Sequence, residues 1–188
     1  MGFYPIVLDL ADRPCLVVGG GPVGARKVEG LLAAGARVTV VSPTVTRRLQ
    51  AWVDAGAIDW VAREFDAGDV AGHVLVMAAT GDAAVNGAVA AGARSCGVWV
   101  NAADDPAHCD FFLPSVLRRG ELTVAVSTGG TCPALARAIR EELETYFTDD
   151  YRMLARTAAE TRRELRRDGP TPDAESWRRA LKALLARS

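Results

Sequence analysis

The chain has 188 residues, 49% of them apolar, with 22 Lys or Arg against 23 Asp or Glu and a net charge of −1. That length holds one sizeable domain plus a smaller appendage, with a real core. The near-neutral balance excludes the nucleic-acid footprint of a strongly basic domain, so an anionic ligand has to be met by a local cluster or by backbone donors. No apolar run reaches the roughly 20 residues that span a bilayer, which predicts a soluble protein with no membrane partner. The N-terminus has no basic region and meets Asp9 and Asp12 early, so neither a signal peptide nor an anchor is expected. Cys15, Cys96, Cys109 and Cys132 are scattered and make no C-x-x-C pair. They read as reduced thiols of a cytoplasmic protein, a pair closed by folding being the alternative.

In chain order, the apolar run Cys15-Leu16-Val17-Val18 predicts a strand, and Gly19-Gly20-Gly21-Pro22-Val23-Gly24 follows it directly. Val28, Leu31 and Leu32 then recur at helical spacing, Gly35 suits the helix end, and residues 36–41 read as the next strand. A glycine-rich turn between strand and helix reads as a dinucleotide site. Gly21 lets backbone approach a pyrophosphate, Gly24 lets helix and strand pack, and amides at the helix start hold the phosphates. The competing reading is a glycine turn without a ligand, and the flanking strands and helix favour the site.

Val45, Leu49, Trp52 and Val53 have helical spacing, and residues 58–61 alternate as a strand. Residues 73–79 are a continuous apolar run that suits a central parallel strand. Residues 82–95 predict a helix capped by Asp82, and residues 98–101 one more strand. Strand and helix alternate throughout, the pattern of a doubly wound sheet.

The alternation breaks after that strand. Residues 111–117, 118–121 and 122–127 read as strand, turn and strand. Thr128-Gly129-Gly130-Thr131-Cys132-Pro133 is a second glycine turn, with Thr131 expected to cap a helix carrying Leu135, Ile139, Leu143 and Tyr146. From Tyr151 the chain is helical and basic. Residues 168–172 break that region, and Trp177, Leu181, Leu184 and Leu185 give its last helix an apolar face. The expected organisation is a dinucleotide-binding domain over residues 1–110, a hairpin-and-helix segment over 111–148, and a basic helical region over 149–188.

At the end of the second strand many NAD sites carry an acidic residue for the adenosine ribose; here Val41-Ser42-Pro43-Thr44 stands instead. Ser42 and Thr44 can bond a ribose, and neither repels a 2′-phosphate, so this feature leaves NAD and NADP both open. Arg47 and Arg48 nearby read as a solvated helix face. Asn101-Ala102-Ala103-Asp104-Asp105-Pro106 lies at the carboxyl end of the last parallel strand, where ligands of open α/β sheets sit. Asp104 and Asp105 are candidates for a proton acceptor or a ring-orienting group, the alternative being a turn before proline. His108 and Cys109 read as a loop histidine and a small buried thiol, because no second spaced ligand pair makes a metal site. With only His73 and His108 in the chain, histidine catalysis has few candidates.

Several of these segments, taken in order, resemble the precorrin-2 dehydrogenases, including the amino-terminal part of siroheme synthases. The residues that carry the resemblance are Pro5-Ile6, the run from Cys15 through Gly24 to Arg26-Lys27, Leu32-x-x-Gly35-Ala36, Ala78-Ala79-Thr80, Asn101-x-x-Asp104-x-Pro106, Phe112-x-Pro114-Ser115, and the run from Val124 through Gly129-Gly130-Thr131 to Leu135-Ala136-Arg137. The likeness covers residues 5–143, and the remainder is too short for a carboxyl-terminal methyltransferase domain.

The resemblance implies a Rossmann-like α/β fold with an added hairpin-and-helix dimerisation segment, and NAD-dependent oxidation of the tetrapyrrole precorrin-2 to sirohydrochlorin. A homodimer is implied, and in some members insertion of ferrous iron as a second substrate. It implies cofactor contacts at Gly19, Gly21, Pro22, Val23, Gly24, Ser42, Pro43, Thr44, Thr80 and Asn101, a functional carboxylate at Asp104, and substrate contacts at Ser127, Thr128, Gly129, Gly130 and Arg137. Relatives often have serine where Thr128 stands; threonine keeps the hydroxyl and adds a methyl group. A flat, anionic ring suits an apolar shelf from Phe111, Phe112 and Leu113 with cations at Arg118, Arg119, Arg137 and Arg140, each of which also reads as an exposed or interface charge. Two other readings stand beside this one: a nucleotide-sensing module acting through its basic tail, and a protein that is chiefly a metal chelatase.

Overall fold

The computed structural model describes residues 3–168, 175, 177–179 and 182, and the chain divides into two compact units, Met1–Phe112 and Leu113–Ser188. The first is built on a five-stranded parallel sheet of β1 (Pro14–Val18), β2 (Arg37–Val41), β3 (Ile58–Val61), β4 (Leu75–Ala78) and β5 (Trp99–Ala102), in the order β3-β2-β1-β4-β5. β1 sits in the middle and pairs with both β2 and β4, so the order reverses beside it. Helices α1 (Pro22–Leu32), α2 (Arg47–Asp54) and α3 (Ala83–Ser95) make the crossovers after β1, β2 and β4, and a 3-10 turn at Ala67–Val70 lies between β3 and β4.

Period-two alternation sorts the strand side chains into two cores. Cys15 and Val17 of β1 face a cluster with Val28 and Leu31 of α1, Val38, Val40 and Met77. Leu16 and Val18 face the other side with Val76, Val100, and Val89, Ala90 and Ala93 of α3. β1 and β4 are therefore covered on both faces, which is why their sequences are unbroken apolar runs. Each fully buried Val or Leu contributes about 1.5–3 kcal/mol. Burial also pushes the Cys15 thiol up to about 11. All four cysteines are unpaired.

Helix ends follow local chemistry. Asp82 caps α3, its Oδ1 accepting from the amides of Ala84 and Val85 at 2.8 and 3.3 Å. Gly35 takes φ +74° beyond α1, a left-handed value that glycine reaches without strain.

In the second unit, β6 (Ser115–Arg119) and β7 (Leu122–Val126) form an antiparallel hairpin, followed by α4 (Pro133–Tyr146) and α5 (Asp150–Asp168). The hairpin is shorter than its sequence suggests. Phe111 and Phe112 stay with the first unit, because the Phe111 side chain packs on the β1–α1 core and Pro114 removes a ladder donor just before β6. Arg118 and Arg119 are strand residues; Gly120 (φ +59°) and Glu121 make the two-residue loop, with glycine at the position where such turns need positive φ. Thr131 does not cap α4. Cys132 occupies that position without a side-chain bond, while the Thr131 hydroxyl donates to the Thr128 carbonyl at 2.6 Å. Among the described residues no helix is long and apolar enough to cross a membrane. The expected break over 169–172 and the apolar face through Leu181, Leu184 and Leu185 lie outside the described residues.

Replacing Asp82 with alanine strips two amides of their acceptor. The expected loss is about 1 kcal/mol in urea unfolding, with the slope of the transition unchanged.

Candidate functional site

β1 delivers the chain into a turn where three backbone segments nearly touch. A Cβ on Gly19 would overlap the Ala79 carbonyl, one on Gly20 the Thr44 carbonyl, and one on Gly24 the Gly19 carbonyl, so each is closed to any side chain. Gly19 is also held at φ +118°. Gly21 differs: a Cβ there would meet nothing within 4 Å. The turn thus uses three glycines to bring β1, α1 and the β2 and β4 ends together, and leaves one facing open space.

α1 starts at that open position with no side-chain cap and no acidic residue in its first turn, and Pro22 occupies its start. By contrast α3 and α2 take caps from Asp82 and Thr46. The first-turn amides of Val23 and Gly24, with the positive end of the helix dipole behind them, are therefore suited to an anion.

The cleft in front of the turn has a volume of about 860 Å³. Gly19, Gly20 and Gly21 form its floor, Ser42, Pro43 and Thr44 one wall, and Ala79, Thr80 and Gly81 the other. Phe65, Val85 and Ala88 add an apolar slot. The lining residues include no Lys, Arg or His; Glu64 and Asp82 are their ionisable groups. Asp82 is engaged in its cap, whereas Glu64 follows β3 as an exposed lining residue. Of the neighbouring cations, Arg63 forks onto Asp69 at 2.5 and 2.8 Å and Arg48 pairs with Glu29 and lies over the Trp52 ring, while Arg47, next to the lining residue Thr46, is exposed.

Thr80 is fixed by Asn86, whose buried amide bridges the Thr80 backbone and hydroxyl: Thr80 N and Oγ1 donate to Asn86 Oδ1 at 3.2 and 2.8 Å, and Asn86 Nδ2 donates to the Thr80 carbonyl at 3.1 Å. Sequence reasoning passed over Asn86. Its signal was a lone amide among alanines, one turn into α3.

Asn101 does not line this cleft. It is buried at the end of β5, where Nδ2 donates to the Phe111 carbonyl at 2.9 Å and Oδ1 accepts from Lys27 Nζ at 2.9 Å. Three residues on, Asp104 is exposed and takes φ +59°, a left-handed value uncommon outside glycine and most tolerable for Asp or Asn. Asp105 does shape the turn: its carboxylate meets His108 Nδ1 at 2.6 Å, which pulls it below the usual carboxylate range. The Cys109 thiol is half-buried among the backbone groups of Ala102 and Asp105, and burial raises it above the ordinary thiol range.

Within the second unit, Ser127 Oγ accepts from Gly129 N at 3.1 Å and Thr128 Oγ1 from Cys132 N at 3.1 Å, and Gly129 and Gly130 take φ +62° and +82°. Each hydroxyl retains a proton to donate. Arg137 is exposed on α4. Arg140 is committed to Ser115, Glu141 and Glu144, and Arg119 to the Phe147 carbonyl, so two of the four expected cations are engaged within the unit. The expected apolar shelf is also divided: Phe111 packs on the sheet, Phe112 stacks edge-on with Phe3, and Leu113 is exposed in the second unit.

A parallel sheet with a glycine turn, an uncapped helix and a cleft at its carboxyl edge defines a dinucleotide-binding protein of the Rossmann class. Residues 6–115 match the family model described as putative NAD(P)-binding, and residues 119–146 match the one described as sirohaem biosynthesis protein central. The chain belongs to the putative NAD(P)-binding family. It is 44% identical over 183 residues to a siroheme synthase of Methylococcus capsulatus, covering 96% of this chain and 39% of that protein. A siroheme synthase of Methylobacillus flagellatus is 48% identical over 162 residues, covering 86% of this chain and 35% of that protein. The chain thus spans under two fifths of the length of these curated relatives. Among solved structures it resembles SirC, a precorrin-2 dehydrogenase, with a TM-score of 0.78 and 28% identity over 97% of this chain and 89% of that one.

The cleft fits a nicotinamide dinucleotide, because Gly19 and Gly20, which have no room for a Cβ, line its floor while Gly21 of the same turn opens into free space. A Cβ at Gly21 meets no protein atom within 4 Å, so Gly21→Val puts its side chain into that opening. Calorimetry is expected to show NAD binding lost in a folded variant, and the unmodified chain binding NAD more tightly than NADP because Glu64 opposes a 2′-phosphate.

Proposed function

We propose that this chain oxidises precorrin-2 to sirohydrochlorin with NAD as the hydride acceptor. The observation that carries the reading is the likeness to a solved precorrin-2 dehydrogenase, 28% identical over 97% of this chain. The second family match, over residues 119–146, supports it independently.

NAD, when bound, supplies an acceptor for two electrons and one proton as hydride. The rest of the work falls to the chain. Amides at Gly21, Val23 and Gly24 hold the pyrophosphate, Pro22 having none to give; Ser42, Pro43 and Thr44 border the ribose; and Phe65, Val85 and Ala88 take the adenine. Thr80, pinned by Asn86, sets the wall beside the nicotinamide half, and Asn101 shapes the strand end next to it. Asp104 accepts the proton that leaves the ring as the hydride departs, so one C–H pair of electrons leaves on each turnover and conjugation extends by one double bond. Ser127 and Thr128 donate to the ring's carboxylates, Gly129 and Gly130 give the turn its shape, and Arg137 offers its fork to a carboxylate.

The second unit supports a homodimer. On α4, Leu135 and Ile139 lie one turn apart and are 51% and 36% exposed, with Tyr146 further along at 66%. An apolar stripe of this kind on a symmetric partner is what a second copy of the chain would cover.

Anaerobic incubation with precorrin-2 and NAD is expected to build the sirohydrochlorin absorbance, and ferrous iron added afterwards tests whether the chain also inserts metal. Asp104→Ala is expected to slow oxidation by about 10²–10⁴-fold with NAD affinity unchanged, and Asp105→Ala far less. Near-normal turnover in Asp104→Ala removes the proton-acceptor role.

Light scattering at micromolar concentration is expected to give twice the chain mass. Ile139→Glu, which places a charge within the α4 stripe, is expected to give a monomer.

A further inference from the structure

Two residues of the connection from β3 to β4, Glu64 and Phe65, line the cleft. Neither belongs to a helix or strand, so no ladder of backbone hydrogen bonds fixes them. Their neighbours on both sides are tied instead to one carboxylate. Asp69 Oδ1 and Oδ2 accept from the Arg63 guanidinium at 2.5 and 2.8 Å, and Oδ2 also accepts from the Asp66 amide at 2.8 Å. Arg63 Nη1 donates in addition to the Glu64 carbonyl at 2.8 Å. Glu64 and Phe65 are thereby enclosed in a ring of hydrogen bonds that closes at Asp69.

Packing holds the same stretch from behind. Phe65 is half-buried against the cluster that contains Val70, Val76 and Val89. Gly92 of α3 leaves room there, since a Cβ on it would come within 3.4 Å of the Val70 side chain and 3.9 Å of the Phe65 ring. Asp69 keeps 12% of its side chain exposed, against 48% for Arg63. The hydrogen bond from Arg63 holds the Asp69 carboxyl below the usual carboxylate range, so it stays ionised and accepts through both oxygens. An ion pair with one half-exposed partner adds little to global stability. What this one fixes is local: the stretch of chain that carries Phe65, the one aromatic residue lining the cleft among the described residues.

We propose that Asp69 is a positioning residue for the adenine end of the dinucleotide site: by gripping Arg63 and the Asp66 amide together, it holds the Phe65 ring where a purine lies against it. The proposal rests on the dinucleotide occupying this cleft, as read above. A purine presents a flat apolar face, and a ring set in advance binds it without the cost of being ordered at that moment. An amide in place of the carboxylate turns one acceptor oxygen into a donor, so Asp69→Asn cannot keep all three bonds.

The test uses the full chain and measures affinity by calorimetry for NAD and for ADP-ribose, which keeps the adenine and lacks the nicotinamide. Asp69→Asn is expected to weaken both ligands about 10-fold, and Phe65→Ala to weaken them by a similar factor. Arg63→Gln, which leaves the Asp66 amide bonded to Asp69, is expected to weaken both by a smaller factor. Because Asp69 acts through the ring, Asp69→Asn and Phe65→Ala combined are expected to cost no more than Phe65→Ala alone, and losses that multiply overturn the proposal. By NMR, saturating ADP-ribose is expected to shift the Phe65 ring resonances in the unmodified chain and to shift them far less in Asp69→Asn. A carboxylate that serves folding alone lowers Tm when replaced and leaves both affinities as they were, which also overturns the proposal. An unmodified chain that binds neither ligand removes the cofactor reading of the cleft and this proposal with it, whereas one that binds both while Asp69→Asn binds them equally well removes this proposal alone.

Discussion

The structure depends on the approach of three backbone segments at the glycine turn. Gly19 rests against the Ala79 carbonyl, Gly20 against Thr44, and Gly24 against Gly19 itself, closer than any side chain permits. Because these contacts are backbone to backbone, no repacking of neighbours can make room for a methyl group. The order of the sheet follows from the same point: β1 lies between β2 and β4, so the loops after all three meet where the turn ends. The cleft is what remains between them.

Polar groups around the cleft divide into those already bonded and those left for a ligand. Asp82, Arg63 and Arg48 are bound within the protein, and so is Thr80 through Asn86. What is left is the uncapped start of α1, the Ser42 and Thr44 segment and the Glu64 carboxylate. The described lining of the cleft thus offers phosphate aligned amides and no cation. A site of this kind depends less on salt than one lined with arginine.

Much of the first unit was legible in the sequence, because its signals are local. The continuous apolar runs of β1 and β4 come from strands covered on both faces, Asp82 announces its cap, and the glycine turn stands directly between strand and helix. The wall at Ser42 followed from its place at the end of β2, whereas Thr80 came only from the resemblance. Contacts made at long range were hidden. Lys27 and Asn101 are joined across 74 positions, Asn86 holds Thr80 from inside an alanine-rich helix, and Glu64 reaches the cleft from an exposed loop with no periodicity to mark it. In the second unit the errors came from competing local chemistry. The Thr131 hydroxyl found the Thr128 carbonyl before it could cap α4, and Phe111 found the β1–α1 core before it could join the hairpin.

Cys15 has a consequence of its own. It lies in the central strand with no exposed surface, and its thiol is held protonated well above neutral pH. A thiol reagent in water therefore meets a reactive thiolate there only when β1 leaves its neighbours on both sides, an event that opens the whole sheet. The exposed Cys96 and Cys132 react without such opening and mark the fast end of the same experiment. The chain thus carries an internal chronometer: the slow labelling phase counts openings of the sheet, and its retardation by a bound dinucleotide measures how firmly the ligand holds the strand ends together.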